Sequence, residues 1–471
     1  MNTPIYDFVN AYRDLRPARF HMPGHKGRGP LGCEAADLTE ISGADSLYEA
    51  RGIIAQSEAN ASALFGCPTF YSTEGSSHCI RAMLYLAALL RPEKQDGAAS
   101  PVLRVLAARN VHTSFLSAAA LLDPDLVWLP AAGGSYLSAS VTPEVLDAAL
   151  AESGADAVWL SCPDYLGFLP DLRPLAEVCH AHGALLLTDN AHGAYLRFLS
   201  PSRHPMDLGA DLCCDSAHKT LPVLTGGAYL HVSQALLRDR GQAVRDALAL
   251  FGSTSPSYLI LQSLDLANPY LEALPEKLAA FLPRVEALKE RLRAAGRRLI
   301  GDEPLKLTLD LRPAAAAPEG TGPACPLPGV DLAAALEREG IFCEFADPEQ
   351  LVFMLSPENT EEELERLERA LTETALCAPF PRADGRSPTP SERAEDRLPP
   401  RSCPERVCSI REAMLAPAER IPAAESLGRV LARPGVSCPP AVPIRMPGER
   451  IDAEAVRAFA RYGIESVSVL F

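Results

Sequence analysis

The residues best suited to chemistry in this chain are a lysine and an aspartate that lie 30 positions apart. Lys219 stands in the string Ser-Ala-His-Lys-Thr-Leu, and Asp189 ends an apolar run in Leu-Thr-Asp-Asn-Ala-His-Gly. A lysine amine can form a Schiff base with the aldehyde of pyridoxal phosphate, and a buried carboxylate can keep the pyridine nitrogen of that cofactor protonated. The pair therefore predicts pyridoxal-phosphate chemistry at the α-carbon of an amino acid.

Both residues also have an ordinary interpretation. Asp189 could cap the turn after its strand, and Lys219 could be a surface lysine on a loop. Two features favour the cofactor: each residue follows an apolar strand pattern, and Ser216 and His218 place phosphate donors beside the lysine. The combination indicates a cofactor clamp, in which His218 or Lys219 itself could also return a proton to the substrate.

A hydroxyl-rich string, Tyr-Ser-Thr-Glu-Gly-Ser-Ser at 71–77, comes directly before a predicted helix. Gly75 permits close approach of the backbone, Ser76 and Ser77 can donate hydrogen bonds, and the amino end of a helix offers N–H groups without partners. The string predicts a phosphate cradle. An ordinary serine N-cap after a loop would give the same pattern.

Three more side chains could lie at or near a planar ring. His112 lies in Arg-Asn-Val-His-Thr-Ser, after an apolar strand pattern, where an imidazole can stack on an aromatic cofactor. Ala191 is small enough to lie flat against the ring, and His192 is either a second-layer partner or a polar turn residue. A single loop histidine is more often solvated, so the interpretation of His112 depends on the other motifs.

The composition limits the classes of function. The chain of 471 residues has a formal charge of −16 and no basic stripe, which argues against a nucleic-acid partner. It lacks both an apolar run of ~18 residues and a basic-then-apolar start, so we expect no membrane partner, no signal peptide and a cytoplasmic location. The 13 cysteines include no Cys-x-x-Cys pair, which predicts reduced, mostly buried thiols and no metal site.

Residues 64–230 alternate short apolar runs with amphipathic stretches. Apolar strands that alternate with helices are typical of βαβ units and of a mostly parallel sheet that is covered on both faces. Ligands of such sheets bind beyond the carboxyl ends of the strands, and Asp189 falls at one such end. The predicted strands are 102–107, 156–161, 184–188, 211–214 and 227–231, and the predicted helices are 77–90, 142–153 and 172–182.

The pattern changes after Pro269. Residues 273–298 predict a helix that is interrupted at Pro283, residues 305–311 and 341–355 predict strands of a smaller domain, and residues 361–371 predict its closing helix. Residues 377–404 collect Pro, Arg, Ser, Asp and Glu without periodicity, which is typical of a linker. The final segment begins with a helical stretch, contains a proline-rich loop at 439–449 and ends in a short apolar strand.

Several strings together resemble the ornithine/lysine/arginine decarboxylase family. They are His-Met-Pro-Gly-His-Lys-Gly at 21–27, Gly-Ser-Ser at 75–77, Arg-Asn-Val-His at 109–112, Asp-Asn-Ala-His-Gly at 189–193, Ser-Ala-His-Lys-Thr-Leu at 216–221, Ser-Thr-Ser-Pro-Ser-Tyr at 253–258, Ser-Leu-Asp at 263–265 and the loop at 439–449. Their order and spacing extend the resemblance over nearly the whole chain. The chain is most similar to the short members of the family, which lack an amino-terminal receiver-like domain.

The resemblance implies an α/β fold with three parts. These are an aminotransferase-type large domain with a mostly parallel sheet, a smaller α+β domain and a carboxy-terminal decarboxylase domain. The implied boundaries are 1–50 for an amino-terminal segment, 51–270 for the large domain, 271–376 for the small domain, 377–404 for the linker and 405–471 for the carboxy-terminal domain.

The resemblance also implies roles for single residues, all of them toward pyridoxal 5'-phosphate. Lys219 would carry the cofactor as a Schiff base, Asp189 would contact its pyridine nitrogen and His112 would stack on its ring. The phosphate would be held by hydroxyl and imidazole donors: Ser76, Ser77, Ser216 and His218.

The resemblance further predicts that Thr254 reaches the phosphate of a neighbouring subunit's cofactor, which implies an obligatory homodimer with shared sites. Three positions depart from the family pattern. Glu74 stands where Asn is usual, Asn190 replaces a Glu, and Thr113 replaces a common Lys. Glu449 could pair with a guanidinium or ammonium group of a substrate, although a loop carboxylate usually faces water.

The implied activity is decarboxylation of a basic amino acid, with arginine ahead of lysine and ornithine, to the amine and CO2 in polyamine-type metabolism. Two alternatives remain: an aminotransferase or aldolase on the same fold, and a regulatory paralogue that binds the cofactor without catalysis. The match at 439–449 weighs against the first. The presence of Asp189, His112 and Lys219 weighs against the second.

Overall fold

The computed structural model describes residues 1–91, 102–129, 135–238, 240–312, 327–372, 404–435 and 440–471. The chain forms two compact units. The first comprises Met1–Leu129, Val141–Pro163 and Pro170–Leu278, and the second comprises Pro130–Ser140, Asp164–Leu169 and Ala279–Phe471. The predicted linker at 377–404 lies outside the described residues except for its last position, and the predicted domain boundaries stay a prediction.

The first unit is built on a seven-stranded sheet with the order β1-β7-β6-β5-β4-β2-β3. The strands β2 to β6 pair in parallel, and β7 runs antiparallel to both β1 and β6. The predicted mostly parallel α/β sheet is therefore confirmed. The strands are β1 (Thr69–Ser72), β2 (Arg104–Ala107), β3 (Asp125–Trp128), β4 (Ala157–Ser161), β5 (Leu185–Asp189), β6 (Leu212–Asp215) and β7 (Ala228–Val232).

Helices connect the parallel strands, as the βαβ pattern requires. Their starts follow local signals: Thr142 caps a helix that opens with Pro143, and Asp171 caps the next one. The helices of this unit are α1 (Pro4–Asp14), α2 (Ile53–Phe65), α3 (Ser76–Leu90), α4 (Thr113–Leu122), α5 (Pro143–Ser153), α6 (Leu172–Ala181), α7 (Ala217–Thr220), α8 (Gln234–Leu237) and α9 (Gly241–Phe251).

The helix α10 (Tyr258–Ala294) corrects one prediction. It runs through Pro283 without the expected interruption. A proline inside a helix costs roughly 3 kcal/mol. Here a row of buried side chains at helical spacing outweighs that cost, because each buried leucine contributes about 1.5–3 kcal/mol. The row includes Leu264, Leu271, Leu274, Leu278, Phe281, Val285, Leu288 and Leu292.

The second unit holds a four-stranded antiparallel sheet, a two-stranded sheet and short helices. The four-stranded sheet has the order β10-β11-β9-β8, and β12 pairs with β13. The strands and helices of the second unit are β8 (Leu299–Ile300), β9 (Lys306–Asp310), α11 (Gly329–Arg338), β10 (Phe345–Ala346), β11 (Gln350–Met354), α12 (Glu361–Thr372), α13 (Ile410–Leu415), β12 (Ala418–Pro422), α14 (Ala453–Arg461) and β13 (Ser466–Leu470).

The core of the second unit is apolar, with Leu137, Val352, Ile451, Phe459 and Val469 among its most buried members. Most of the proline-rich loop from 440 to 449 is also buried. Within the described part of the chain, no helix has both the length and the apolar character needed to cross a bilayer.

Candidate cofactor site

The candidate site forms where two neighbouring parallel strands end. Strand β5 ends at Asp189 and β6 ends at Asp215, and Asp189 lies opposite Cys214 in the parallel register. A turn that begins at Asn190 follows the first strand, and the short helix α7 follows the second. The parallel pairing therefore brings the two predicted motifs to the same edge of the sheet, as expected for a ligand site in this class of fold.

Lys219 contacts a histidine from the neighbouring strand end. Its Nζ lies 2.8 Å from Nε2 of His192, which sits in the turn after Asp189. Lys219 is half-buried and His192 is buried. Of the two interpretations of His192, the structure supports that of a partner within the candidate site.

Asp189 is a buried carboxylate that the protein only partly satisfies. Its Oδ1 accepts hydrogen bonds from the Ala191 backbone N–H at 3.1 Å and from the Cys214 thiol at 3.8 Å. Burial raises the pKa of Asp189, although the Ala191 N–H, the Lys219 ammonium and the Cys214 thiol oppose that rise. A cation placed against this carboxylate would offset the cost of burying its charge.

A group of hydroxyls surrounds the amino end of α3. Gly75 caps the helix with φ +74°, and a side chain added there would meet nothing within 4 Å. Ser76 begins the helix, and its Oγ accepts a hydrogen bond of 2.7 Å from Ser216, which lies directly after β6. The N–H groups of a first helical turn favour an anion, so the predicted cradle has both the donors and the open space.

The cradle continues toward His112. Ser114 donates from its Oγ to the Oγ of Ser77 at 2.6 Å, and Nδ1 of His112 lies 2.8 Å from the same Ser114 hydroxyl. His112 also caps α4, because its Nδ1 accepts from the Ser114 backbone N–H at 3.1 Å. Ser114 therefore links His112, the predicted stacking residue, to Ser77, a predicted phosphate donor.

The imidazole of His112 is held neutral. Burial, together with the positive charges of Lys219 and Arg81, lowers its pKa to about 4. A neutral imidazole presents a flat aromatic face at neutral pH, and it does so without adding charge to the site.

His218 and Thr254 are two further predicted cofactor contacts. Nδ1 of His218 lies 3.0 Å from the Gly227 carbonyl oxygen. Thr254 is exposed, in a loop whose neighbouring residue Ser253 donates its N–H to Glu74 at 2.5 Å. Glu74 is itself exposed, so its carboxylate is directed to this loop. The roles predicted for His218 and Thr254 stay predictions.

Sequence patterns did not single out two residues that the structure brings to the site, Ser114 and Asp215. Ser114 lies two positions after His112 at the start of a helix, and this N-cap spacing could have indicated a contact between the two residues. Asp215 directly precedes Ser216, and its carboxylate accepts from Nδ2 of Asn190 at 2.6 Å. The bond between Asn190 and Asp215 had no signal in the sequence, because it depends on the register of two strands.

These residues fit pyridoxal phosphate on chemical grounds. A lysine amine, a buried carboxylate with an unmet need for a cation, a neutral imidazole and a hydroxyl-lined helix amino end meet four different parts of that molecule. Lys219 would hold the aldehyde carbon, Asp189 the ring nitrogen, His112 the ring face, and the cradle the phosphate. The donors of the cradle are Gly75, Ser76, Ser77 and Ser216.

Comparison with known proteins indicates the same cofactor. The family described as Orn/Lys/Arg decarboxylase, major domain, matches residues 3–301. The uncharacterized protein YaaO of Bacillus subtilis is 28% identical over 98% of this chain and 94% of its own length. An arginine decarboxylase of Halalkalibacterium halodurans is 28% identical over 95% of this chain and 91% of its own length.

Solved structures agree in fold. The constitutive lysine decarboxylase of E. coli superimposes with a TM-score of 0.75 at 18% identity, over 100% of this chain and 82% of that chain. The region that matches the family, residues 3–301, covers more than half of the chain. This chain therefore belongs to the Orn/Lys/Arg decarboxylase family of pyridoxal-phosphate-dependent enzymes, with pyridoxal 5'-phosphate as its cofactor.

Proposed function

We propose that this chain decarboxylates arginine, with lysine and ornithine as poorer substrates, and releases CO2 and the corresponding amine. The observation that carries the proposal is the convergence of Lys219, Asp189 and the hydroxyl cradle at 75–77 around one edge of the sheet. Two relatives that align with most of the chain, from Halalkalibacterium halodurans and Bacillus subtilis, are named arginine decarboxylase. Their names support arginine over the other basic amino acids.

Bound pyridoxal phosphate supplies an electron sink for the electron pair that remains on the α-carbon when CO2 leaves. Asp189 serves that sink by keeping a positive charge on the ring nitrogen. Its buried position strengthens the effect, since a carboxylate and a cation attract each other more strongly away from water. The raised pKa of the carboxyl is the mark of a group that needs this cation.

Lys219 has two tasks in this proposal: it holds the cofactor covalently, and its amine takes part in proton transfer. His192 Nε2 lies 2.8 Å from Lys219 Nζ, a distance at which a proton can pass directly between the two nitrogens. We propose His192 as the group that orients the lysine amine. His218 is retained as a second candidate proton donor because it directly precedes Lys219 in α7.

The cradle fixes the cofactor by its phosphate. Hydrogen bonds to a charged group contribute about 1.5–3 kcal/mol each, and the first turn of a helix adds about 0.3–1 kcal/mol. The chain of hydroxyls from Ser77 through Ser114 to His112 then couples the phosphate position to the ring face. A small movement of either group would be transmitted to the other.

We also propose a cytoplasmic homodimer that supplies amines for polyamine synthesis. Thr254 supports the dimer, because it is exposed on a loop that the contact between Glu74 and Ser253 holds beside the start of α3. A threonine there can serve a neighbouring subunit. Sedimentation of the purified protein should give twice the chain mass of 50.5 kDa.

The test is a direct comparison of CO2 release from arginine, lysine and ornithine by the purified enzyme with its cofactor. We expect the highest kcat/KM with arginine. Faster turnover of lysine or ornithine would change the proposed substrate. Absence of CO2 with all three, together with formation of a keto acid, would replace the proposal with an aminotransferase.

The test includes keto-acid formation because decarboxylases and aminotransferases share this fold. An alanine–glyoxylate aminotransferase of Nostoc shares the fold with a TM-score of 0.51 over 68% of this chain. The choice therefore rests on the family match and on the substrate measurement.

A further inference from the structure

A second buried carboxylate, Asp215, lies at the centre of a polar cluster beneath the candidate site. Its Oδ2 is 3.1 Å from Nε2 of His204 and 3.0 Å from Nε2 of His231. Its Oδ1 accepts from Nδ2 of Asn190 at 2.6 Å. The side chains of His204, Asp215 and His231 are all 0% exposed, so every one of these contacts is shielded from water.

The hydrogen bonds indicate which atoms of this cluster carry protons. Thr69 donates its hydroxyl proton to the Cys67 carbonyl at 3.0 Å, so the Thr69 oxygen is left to accept from Nδ1 of His231 at 2.9 Å. With its other nitrogen directed at Asp215, His231 then carries two protons and a positive charge. Burial alone would lower the pKa of His231, but the Asp215 carboxylate outweighs it and raises that pKa.

His204 completes the cluster as a second donor to Asp215. Its Nδ1 accepts from the Met206 backbone N–H at 3.4 Å, which leaves the proton on Nε2 for Asp215. The three nitrogen and oxygen atoms lie within 4.8 Å of one another, a spacing that a metal cation could also use. The donor role of Nε2 in His204 favours protons over a metal at this position.

The cluster reaches the candidate site through Asn190. Asn190 follows Asp189 directly and opens a tight turn in which the Gly193 N–H donates to the Asn190 carbonyl at 2.8 Å. A Cβ at Gly193 would lie 2.0 Å from Oδ1 of Asn190, so the asparagine side chain packs directly against the turn. That turn carries His192, the partner of Lys219.

We infer that Asp215 is a positioning residue for the cofactor site: its buried ion pair with His231 and its bond to Asn190 fix the turn that carries Asp189 and His192. Ser216, the next residue along the chain, donates to Ser76 in the cradle at 2.7 Å. The inference rests on the proposed function, since it assigns Asp215 a role in holding the cofactor.

The identity of residue 190 is part of this arrangement. A neutral amide at 190 can donate to Asp215, whereas a carboxylate would place two negative charges in contact in a buried site. The asparagine that departs from the family pattern is therefore matched to Asp215. The two positions should behave as a coupled pair in a double-mutant cycle.

The experiment uses purified enzyme with its cofactor and four variants: Asp215→Asn, Asn190→Asp, the double variant Asn190→Asp/Asp215→Asn, and Asp211→Asn. Asp211 is the matched control, because it lies just before the other end of β6, 3.0 Å from Nε2 of His180, and accepts from the Leu186 N–H at 2.8 Å. The readouts are the pH midpoint of the visible absorbance of the Lys219-linked cofactor, kcat, KM and metal content.

We expect Asp215→Asn to move the absorbance midpoint by at least about 0.5 pH unit and to lower kcat about tenfold, with KM within about twofold. Asn190→Asp should have a larger effect because of the charge repulsion. The double variant should recover at least half of the midpoint shift, since donor and acceptor have exchanged places. Asp211→Asn should leave the midpoint unchanged even where it lowers the melting temperature.

Three results would overturn the inference. The first is an unchanged midpoint and kcat in Asp215→Asn, the second is an equal midpoint shift in Asp211→Asn, and the third is one metal ion per chain whose removal reproduces the Asp215→Asn spectrum. If Asp215→Asn does not fold, Asn190→Ala removes the same contact, and an unchanged midpoint there would also refute the inference.

The failure of the proposed function can be recognised separately. If the wild-type enzyme binds the cofactor but releases no CO2 from arginine, the substrate proposal fails while the absorbance cycle still decides the role of Asp215. If the wild-type enzyme shows no visible absorbance with added cofactor, the site assignment itself is wrong, and the inference about Asp215 is wrong with it.

Discussion

Two buried aspartates end neighbouring strands of the same sheet, and their surroundings differ. Asp215 has two imidazoles and an amide on its two oxygens. Burial raises its pKa, but His204 and His231 outweigh that effect and hold the pKa below its ordinary value. Asp189 receives a backbone N–H and a thiol, and its pKa is raised. Among the described residues, no cationic side chain forms a hydrogen bond with Asp189.

The difference separates a structural carboxylate from one that is kept for a ligand. The protein itself supplies the counter-charge of Asp215, so that site is complete when the chain folds. Asp189 bears the cost of burial without a bonded cation, which is the expected state of a group that meets a protonated ring nitrogen only after the cofactor binds.

The largest effect is expected from Lys219→Ala. Without the amine the cofactor cannot be held covalently, so the visible absorbance should disappear and CO2 release should fall at least about 10³-fold. Lys277→Ala, at an exposed lysine on α10, is the control and should keep both. Retention of the absorbance in Lys219→Ala would mean that another lysine carries the cofactor.

Asp189→Asn should have the next largest effect. The cofactor should stay linked to Lys219, but kcat should fall about 10²-fold or more because the ring nitrogen loses its stabilising charge. The comparison with Asp215→Asn is informative, since both changes replace a buried carboxylate by an amide. Equal kcat values for the two variants would remove the distinction between them.

Loss of single cradle hydroxyls should weaken cofactor binding moderately. We expect Ser76→Ala, Ser77→Ala and Ser216→Ala each to raise the Kd for pyridoxal phosphate about tenfold, which corresponds to ~1.4 kcal/mol per lost hydrogen bond. Titration of the cofactor-free protein measures this. Ser117→Ala is the control, because that hydroxyl donates to the Thr113 carbonyl within α4. A Kd change in the control equal to that in the cradle variants would contradict the assignment.

The last expected effect is a pH dependence of stability from His112. In the folded chain its pKa is about 4 against an ordinary value of 6.5. Between these pH values the unfolded chain binds a proton that the folded chain does not. Stability therefore falls as the pH drops, by at most about 1.4 kcal/mol per unit. Urea unfolding of cofactor-free protein should show this loss in wild type and less of it in His112→Phe. An identical pH dependence in both proteins would show that His112 is not buried as described.

Much of the fold was accessible from the sequence, for identifiable reasons. The strands Ala157–Ser161 and Leu185–Asp189 begin with runs of apolar residues, and the burial of these strands follows from that pattern. The edge strand Asp125–Trp128 is short, and no strand was predicted there. The break predicted at Pro283 failed because a local proline rule competes with the packing of a long buried face, which only the folded chain reveals.

The candidate site likewise contains residues that the sequence indicates and residues that only the fold brings together. Lys219, Asp189, Ser76 and Ser77 could be predicted because each stands in a short string with its own chemical pattern. The Asp215 cluster could not, because its three residues are separated along the chain and meet only in the folded protein. His231 comes near Asp215 through the antiparallel pairing of β6 with β7, and His204 comes from the turn that precedes β6. Side chains that act through strand pairing leave no local signal in a sequence.

The most direct test of the central contrast is the protonation of the cofactor ring nitrogen. The enzyme is reconstituted with pyridoxal phosphate labelled with 15N in the ring, and the 15N chemical shift is recorded from pH 6 to 8. We predict a protonated nitrogen in the wild type and in Asp215→Asn, and an unprotonated one in Asp189→Asn. A neutral nitrogen in the wild type, or a protonated one in Asp189→Asn, would contradict the role assigned to Asp189.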